Sequence, residues 1–519
     1  TLFPYTTLFR SLRARGTNTV ISGNTFDGTN MAADTNMLEV YDTALSGTFD
    51  DLLANNTFTN GAVWFDHAVT GAHNEYYVFR GINSAVSKAT AGDTVHALAG
   101  TYEEQVVLDK SITLEGAGVG QTIIEAPDTL SHSFTAEGTS QHAIISVENT
   151  SGVTISGLTV DGLGKGSGAN TNFLGIGIYD SSATVDGVTV TRISDGGLSG
   201  SPSGVQSGYG IGVYNDSATN QTVTVENSTI DNFQKNGIAF RGENMTANIL
   251  NNVVTGVGDT DAIAQNGIEL YDNMSGGGQT ITGTIQGNAV TGVSYVVTGA
   301  NSPDYATGIY LIDTDNVLVQ NNIVTGTGTG AASFGIAVLG SSDATLDSNT
   351  LSGLQRGISL SDQYYSGINA NFGADNGVTV TGGSISGNDV GLFTNDAYAT
   401  GLNVSGVGFA GNNIQFEGSS SDLPGVLANG NTFDKSVYIT GGDTIFSQIQ
   451  DGIDAASAGD TVNVGAGTYG AFGNVNGDPS NLTIQTTEGA VIDGSVLPHT
   501  GRIVELSGDG MTFSGFTIN

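Results

Sequence analysis

Five aspartates recur at one place in a repeated phrase. Each phrase opens on glycine, and five positions later stand Asp180, Asp272, Asp313, Asp362 and Asp396, with Asn215, Gly242 and Gly340 in the other copies. If the copies stack as parallel strands, like side chains repeat about every 4.8 Å. Carboxylates that close raise one another's pKa unless a cation sits between them. Calcium takes six to eight oxygens, and aspartate, backbone carbonyls and water supply them. Aspartate also caps tight turns. The column therefore reads either as a calcium site or as a row of turn formers, and the regular GGxGxDxU repeat of calcium β-rolls is absent. One position earlier stand Tyr179, Tyr214 and Tyr271, whose rings can stack on sugars or on one another.

Other chemistries are thinly represented. None of the six histidines (His67, His73, His96, His132, His142, His499) lies between Ser151 and Ser420, where the phrases run. The absence of cysteine excludes thiolate metal sites and a cysteine nucleophile. Thirteen Lys+Arg against fifty Asp+Glu leave a net charge of −37. Such a surface repels nucleic acid and anionic membranes, and polyuronates too unless cations bridge them. No apolar run approaches the ~20 residues needed to cross a bilayer.

The elements that must position these residues are short strands. The leading phrase is glycine, aliphatic, small, aliphatic, as in Gly175-Ile176-Gly177-Ile178 and Gly308-Ile309-Tyr310-Leu311. A second phrase follows (Val223-Thr224-Val225, Val317-Leu318-Val319), then a third after asparagine (Asn252-Val253-Val254, Asn322-Ile323-Val324). Each alternates with period two, the pattern of a strand with one buried face. Three strands per unit of at least 22 residues (Gly335 to Gly357) predict a solenoid, all-β, whose rungs must stack to bury their inner faces. The corner asparagines Asn227, Asn252, Asn288, Asn322 and Asn349 suit left-handed turns and rung-to-rung amide bonds. Helix is expected only before the two GDTV strands, where Ile82, Val86, Ala89 and Ile449, Ile453, Ala456 share one face and would cap an open end.

The chain also repeats on a larger scale. ATAGDTVHALAGTY around Asp93 returns as ASAGDTVNVGAGTY around Asp460, a period of 367. The expected organisation is an adapter-like scar over 1–11 and the last rungs of a preceding module over 12–73. A complete module with its cap helix follows over 74–437, and the start of another over 438–519.

The order cap helix, AGDTV, AGTYEE, then stacked Asn/Gly rungs resembles the right-handed parallel β-helix proteins of the pectin-lyase-like superfamily. Residues 80–104 and 448–469 carry the cap resemblance, and 151–420 the rungs. This resemblance implies a right-handed parallel β-helix with three short strands per rung and short N-terminal capping helices. It also implies that a lyase member would need an arginine or lysine base. Of Lys165, Arg192, Lys235, Arg241 and Arg356, Arg241 is the candidate. A hydrolase member would need clustered carboxylates, and no such constellation is visible. The expected function is a non-catalytic, extended, acidic surface or secreted array, adhesin-like or matrix-associated, stiffened by calcium. Its partners would be a polysaccharide or cell-surface glycan and neighbouring modules, outside the cell. The alternative is a polysaccharide lyase or glycoside hydrolase.

Overall fold

Each leading phrase folds as a strand whose aliphatic residues point inward. In the computed structural model of the chain, Ile176, Ile211 and Ile238 are register partners on three neighbouring strands and all are fully buried. Each such side chain contributes roughly 1.5–3 kcal/mol by leaving water, and none could do so on a lone strand. The leading glycine is required by contact. A Cβ on Gly175 would lie 2.4 Å from Val190 Cγ1 and 2.6 Å from the carbonyl of Gly210. Gly308 is confined in the same way by Val324 and Gly335.

The structure describes residues 12–29, 31–41, 44–70, 74–197, 202–272, 280–296, 305–328, 332–360, 375–395, 399–473, 479–495 and 502–519. They fall in two compact units, Thr1–Thr255 and Gly256–Asn519. In the first, the glycine-led sheet runs Val106–Leu108, Thr139–Glu148, Phe173–Tyr179, Tyr209–Asn215, Asn236–Gly242, all parallel. A second parallel sheet holds the second phrases, from Thr94–Ala97 to Met245–Leu250. A third holds Gly100–Glu103, Thr122–Glu125, Thr159–Asp161, Thr189–Thr191 and Thr229–Asp231. The second unit repeats the plan, its glycine-led sheet running from Asn266–Asp272 to Ile414–Glu417.

The asparagine corners divide two tasks between adjacent residues. Asn227, Asn251 and Asn321 take the left-handed turn (φ 51°, 56° and 55°). The next position carries the ladder: Asn288 Nδ2 donates to Asn322 Oδ1 at 2.9 Å, and Asn322 Nδ2 to Asn349 Oδ1 at 3.0 Å. These amides are buried, so the ladder satisfies groups that would otherwise lose water without replacement.

Helices occur where expected and also elsewhere. In chain order they are α1 (Phe49–Ala54), α2 (Ile82–Lys88), α3 (Leu423–Ala428) and α4 (Ile449–Ala455). Helices α2 and α4 precede the GDTV strands and bury Ile82, Val86, Ile449 and Ile453. The expectation of helix in that position alone is corrected by α1 and α3. Each has six residues, too few for a 3.6-residue period to show. Thr48 and Asp51 form a capping box on α1, and Pro424 lies in the first turn of α3.

The large repeat is a repeat of structure. Val63 pairs antiparallel with both Phe79 and Ala97, and Val437 pairs in the same way with Phe446 and Val464. Tyr102 Oη accepts from Ala62 N at 3.1 Å and lies within hydrogen-bond distance of the carbonyls of Ala62 (3.2 Å) and Leu98 (2.9 Å). Tyr469 Oη makes the same set with Ser436 N, Ser436 O and Gly465 O. Each cap is thus joined to the strands before it by antiparallel pairing and a buried tyrosine.

Candidate functional site

On the outer face of the glycine-led sheet of the first unit, Glu148, Tyr179, Tyr214 and Arg241 are successive register partners. Parallel stacking places them in one row at steps of about 4.8 Å. Two of the expected site tyrosines and the candidate base therefore stand side by side.

A strap crosses this row. Residues Phe134–Ala136 pair antiparallel with Thr139–Gln141, turning through Glu137 (φ 51°) and Gly138 (φ 72°). The side chains of the strap match the row member by member. His132 Nε2 lies 2.6 Å from Glu148 Oε1. The Phe134 ring stacks on Tyr179 (5.2 Å, 18°) and meets Tyr214 edge-on (5.9 Å, 61°). Arg241 Nε donates to Glu137 Oε2 at 3.0 Å. Gln105 fixes the base of the strap, accepting from His132 N and donating to His132 O, both at 2.8 Å. The variable small position of the leading phrase makes room for it. A Cβ on Gly177 would meet Phe134 Cε1 at 2.9 Å.

Burial and charge follow from the strap. Tyr214 is 2% exposed, while Tyr179 is half-buried. Loss of solvent pushes the Tyr179 hydroxyl up, helped by the Asp180 and Asp216 carboxylates. Asp216 N donates to Asp180 Oδ1 at 2.8 Å. The Asp216 carboxyl is raised by desolvation, then by Asp180, Glu137 and Glu243, against a bond from the Glu137 amide that lowers it. The surroundings are acidic with one fixed cation, and they disfavour a polyanion. Arg241 is held by the Glu137 carboxylate, which ties the end of the row to the strap.

The remaining expected residues go elsewhere. Tyr271 belongs to the second unit, opposite Ile312, and packs with Tyr310, Phe334 and Leu339. Asp180 and Asp313 are both left-handed turn residues (φ 45° and 55°) whose amides bond to the next strand, at Tyr214 O and Leu339 O. The Asp272 carboxylate accepts from Thr280 N (2.6 Å) and Thr280 Oγ1 (2.9 Å). Asp362 and Asp396 lie outside the described residues. Among the described residues no three His, Asp or Glu side chains converge as a metal site.

Two features escaped the sequence reading. The strap is one: only the glycine at 177 hints that something lies over the sheet. The other is an acidic row on the third sheet, where Glu103, Glu125, Asp161, Thr191 and Asp231 are successive partners. Arg192 holds Asp161 through both carboxylate oxygens, and Lys165 Nζ lies 2.9 Å from Asp128 and 3.7 Å from Glu103. Arg356, by contrast, is clamped on Phe393 at 3.5 Å.

Residues 209–464 match the family model described as a right-handed β-helix region. That match and the stacked parallel sheets agree on the fold, a right-handed parallel β-helix. No relative among curated proteins matches the sequence. Several solved structures are similar to this one. The mannuronan C-5 epimerase AlgE4 A-module of Azotobacter vinelandii shares 17% identity, with 64% of this chain and 90% of that one covered, at a TM-score of 0.40. The Dettilon tailspike protein shares 13%, covering 69% and 68%, at 0.41. The catalytic domain of a GH87 α-1,3-glucanase shares 12%, covering 86% and 71%, at 0.33. No helix of the β-helix, among its described residues, is long and apolar enough to cross a membrane.

Proposed function

We propose that this β-helix is a non-catalytic, extended binding array of the cell surface or extracellular space, adhesin-like or matrix-associated, that takes neutral glycans on the tyrosine row of its first unit. The observation behind this reading is the strapped row. Phe134 lies on Tyr179 as a sugar ring lies on an aromatic platform, so the strap occupies a site shaped for such a ring. The carboxylates around it favour an uncharged ligand. Arg241, tied to Glu137, orients rather than abstracts. The array reading rests on the two like junctions, which suit modules of 74–437 and its neighbours joined end to end; repetition raises avidity where single contacts are weak.

The test uses the full chain and its Phe134→Ala and Tyr179→Ala variants on neutral and acidic oligosaccharides, with product chain ends read by mass spectrometry. Neutral glycans should bind wild type weakly, Phe134→Ala at least several-fold tighter, and Tyr179→Ala not at all. New chain ends would replace this reading with the polysaccharide lyase or hydrolase alternative. Unchanged affinity in both variants would remove the tyrosine row from the site.

A further inference from the structure

The two junctions follow one plan, and their differences lie together. The shared pairings make Phe65 (opposite Val95) equivalent to Ile439 (opposite Val462), and Tyr77 (opposite Glu39) equivalent to Thr444 (opposite Glu417). The period of 367 that aligns α2 with α4 also makes Phe79, Lys88 and Asp93 equivalent to Phe446, Ala455 and Asp460.

In the first junction this region is filled. Phe65 packs on His67 (5.0 Å) and Phe79 (6.2 Å), and Tyr77 stacks on Phe79 (5.4 Å). The Lys88 ammonium sits 5.9 Å over the Tyr77 ring. His67 Nδ1 lies 3.2 Å from Asp93 Oδ1.

In the second junction the filling is gone while its recognition groups remain. Ile439, Thr444 and Ala455 replace Phe65, Tyr77 and Lys88. The hairpin is seven residues shorter (twelve steps from Phe65 to Tyr77, five from Ile439 to Thr444), and Gly441-Gly442 stands where the longer one carries His67. Phe446 and Asp460 are kept. What results is a cavity of about 480 Å³, whose lining includes Ile439, Thr440, Asp443, Thr444, Phe446 and Asp460 and no Lys or Arg. That volume is ordinary for a small-ligand site. Asp460 Oδ2 accepts from Ser457 N at 2.7 Å and Asp443 Oδ1 from Thr444 Oγ1 at 2.9 Å.

We propose that this cavity binds a ring-bearing organic ammonium ion, its ring face on Phe446 and its ammonium group at Asp460 and Asp443. The ligand restores what the first junction supplies from its own chain: a ring against the shared phenylalanine, a polar partner at the shared aspartate, and an ammonium group beside the ring. Two carboxylates in a lining that, among the described residues, holds no Lys or Arg select a positive group, and an aromatic face favours it further. The site stands apart from the tyrosine row and does not depend on it.

The shared chemistry has an aromatic source and a sugar source. Tyramine and glucosamine are titrated into the full chain by calorimetry and ligand-observed NMR, with tyrosol and N-acetylglucosamine as uncharged counterparts. At least one ammonium probe should saturate a single site, its neutral counterpart binding about tenfold weaker or worse. The probe that saturates identifies the source. Thr444→Tyr with Ala455→Lys, which returns the first junction's side chains, should abolish binding and hold or raise the melting temperature. Asp460→Asn should weaken binding about tenfold, and Tyr179→Ala should leave it unchanged. Equal binding of the neutral counterparts overturns the proposal. So does binding that survives in the filled double variant, or no saturation by either ammonium probe up to about 10 mM.

Discussion

Glu137 and Arg241 are 104 residues apart in sequence and joined at 3.0 Å in the fold. Between them lie three returns of the glycine-led strand, so the bond spans rungs rather than neighbours in the chain. It closes one end of the strap, as His132 with Glu148 closes the other. Loss of either the bond or the Phe134 ring should loosen the strap without unfolding the coil beneath, whose core it does not enter. In Arg241→Ala and Phe134→Ala, amide exchange over 132–139 should quicken at least tenfold while the Ile176 and Ile211 strands keep their protection. Nitration of Tyr214 should rise from near zero.

The Asp216 carboxyl gives the strap a pH dependence of known sign. Its pKa is raised in the fold, by desolvation first and then by Asp180, Glu137 and Glu243. The folded state therefore holds this proton more tightly than the unfolded chain. That contribution is present below pH 3.8, the ordinary value, and is lost as pH rises through the raised pKa. Asp216→Asn should raise the melting temperature at pH 7, on the order of 1 °C for a rim residue. Below the ordinary value the difference should vanish. Differential scanning at the two pH values decides it.

The asparagine ladder should carry more weight. Asn322→Ala takes Oδ1 from the amide and side chain of Asn288 and removes the donor to Ile285 O and Asn349 Oδ1. Leaving such buried groups unmet costs about 1–3 kcal/mol each, so a loss of about 3 kcal/mol is expected in urea unfolding. Exchange should quicken first in the strands Val317–Gln320 and Ile323–Thr325.

Divalent ions separate the two readings of the aspartate column. Asp180 and Asp313 serve turns through their backbone, and Asp272 is committed to Thr280. With turn formers, calcium and magnesium at equal ionic strength should raise the melting temperature equally, by screening a charge of −37. A calcium-specific rise would favour the cation site.

The coil was legible in the sequence because stacking repeats one steric demand at every rung. Gly175 must clear Val190, Gly308 must clear Val324, and the glycine recurs for that reason. The tyrosine pair was legible for the same cause, since Tyr179 and Tyr214 occupy one register position. The strap obeys no such repeat. Glu137 meets Arg241 only after the rungs between them have stacked, and no local pattern announces the pairing. The acidic row of Glu103, Glu125, Asp161 and Asp231 was obscured too, by Thr191 within it and by insertions of unequal length. Helices α1 and α3 were missed through brevity, although the same three residues, Leu53-Ala54-Asn55 and Leu427-Ala428-Asn429, close both.

The strap's long reach sets an order of events in time. A chain emerging from the ribosome completes its α2 cap before the glycine-led strands that begin at Val106, and each of these then finds its partner one rung behind. Such contacts are close in sequence and form early. Glu137 must wait about a hundred residues for Arg241. Until that arginine arrives one end of the strap is untied, and the ring of Phe134 competes for the tyrosine row with whatever else is nearby.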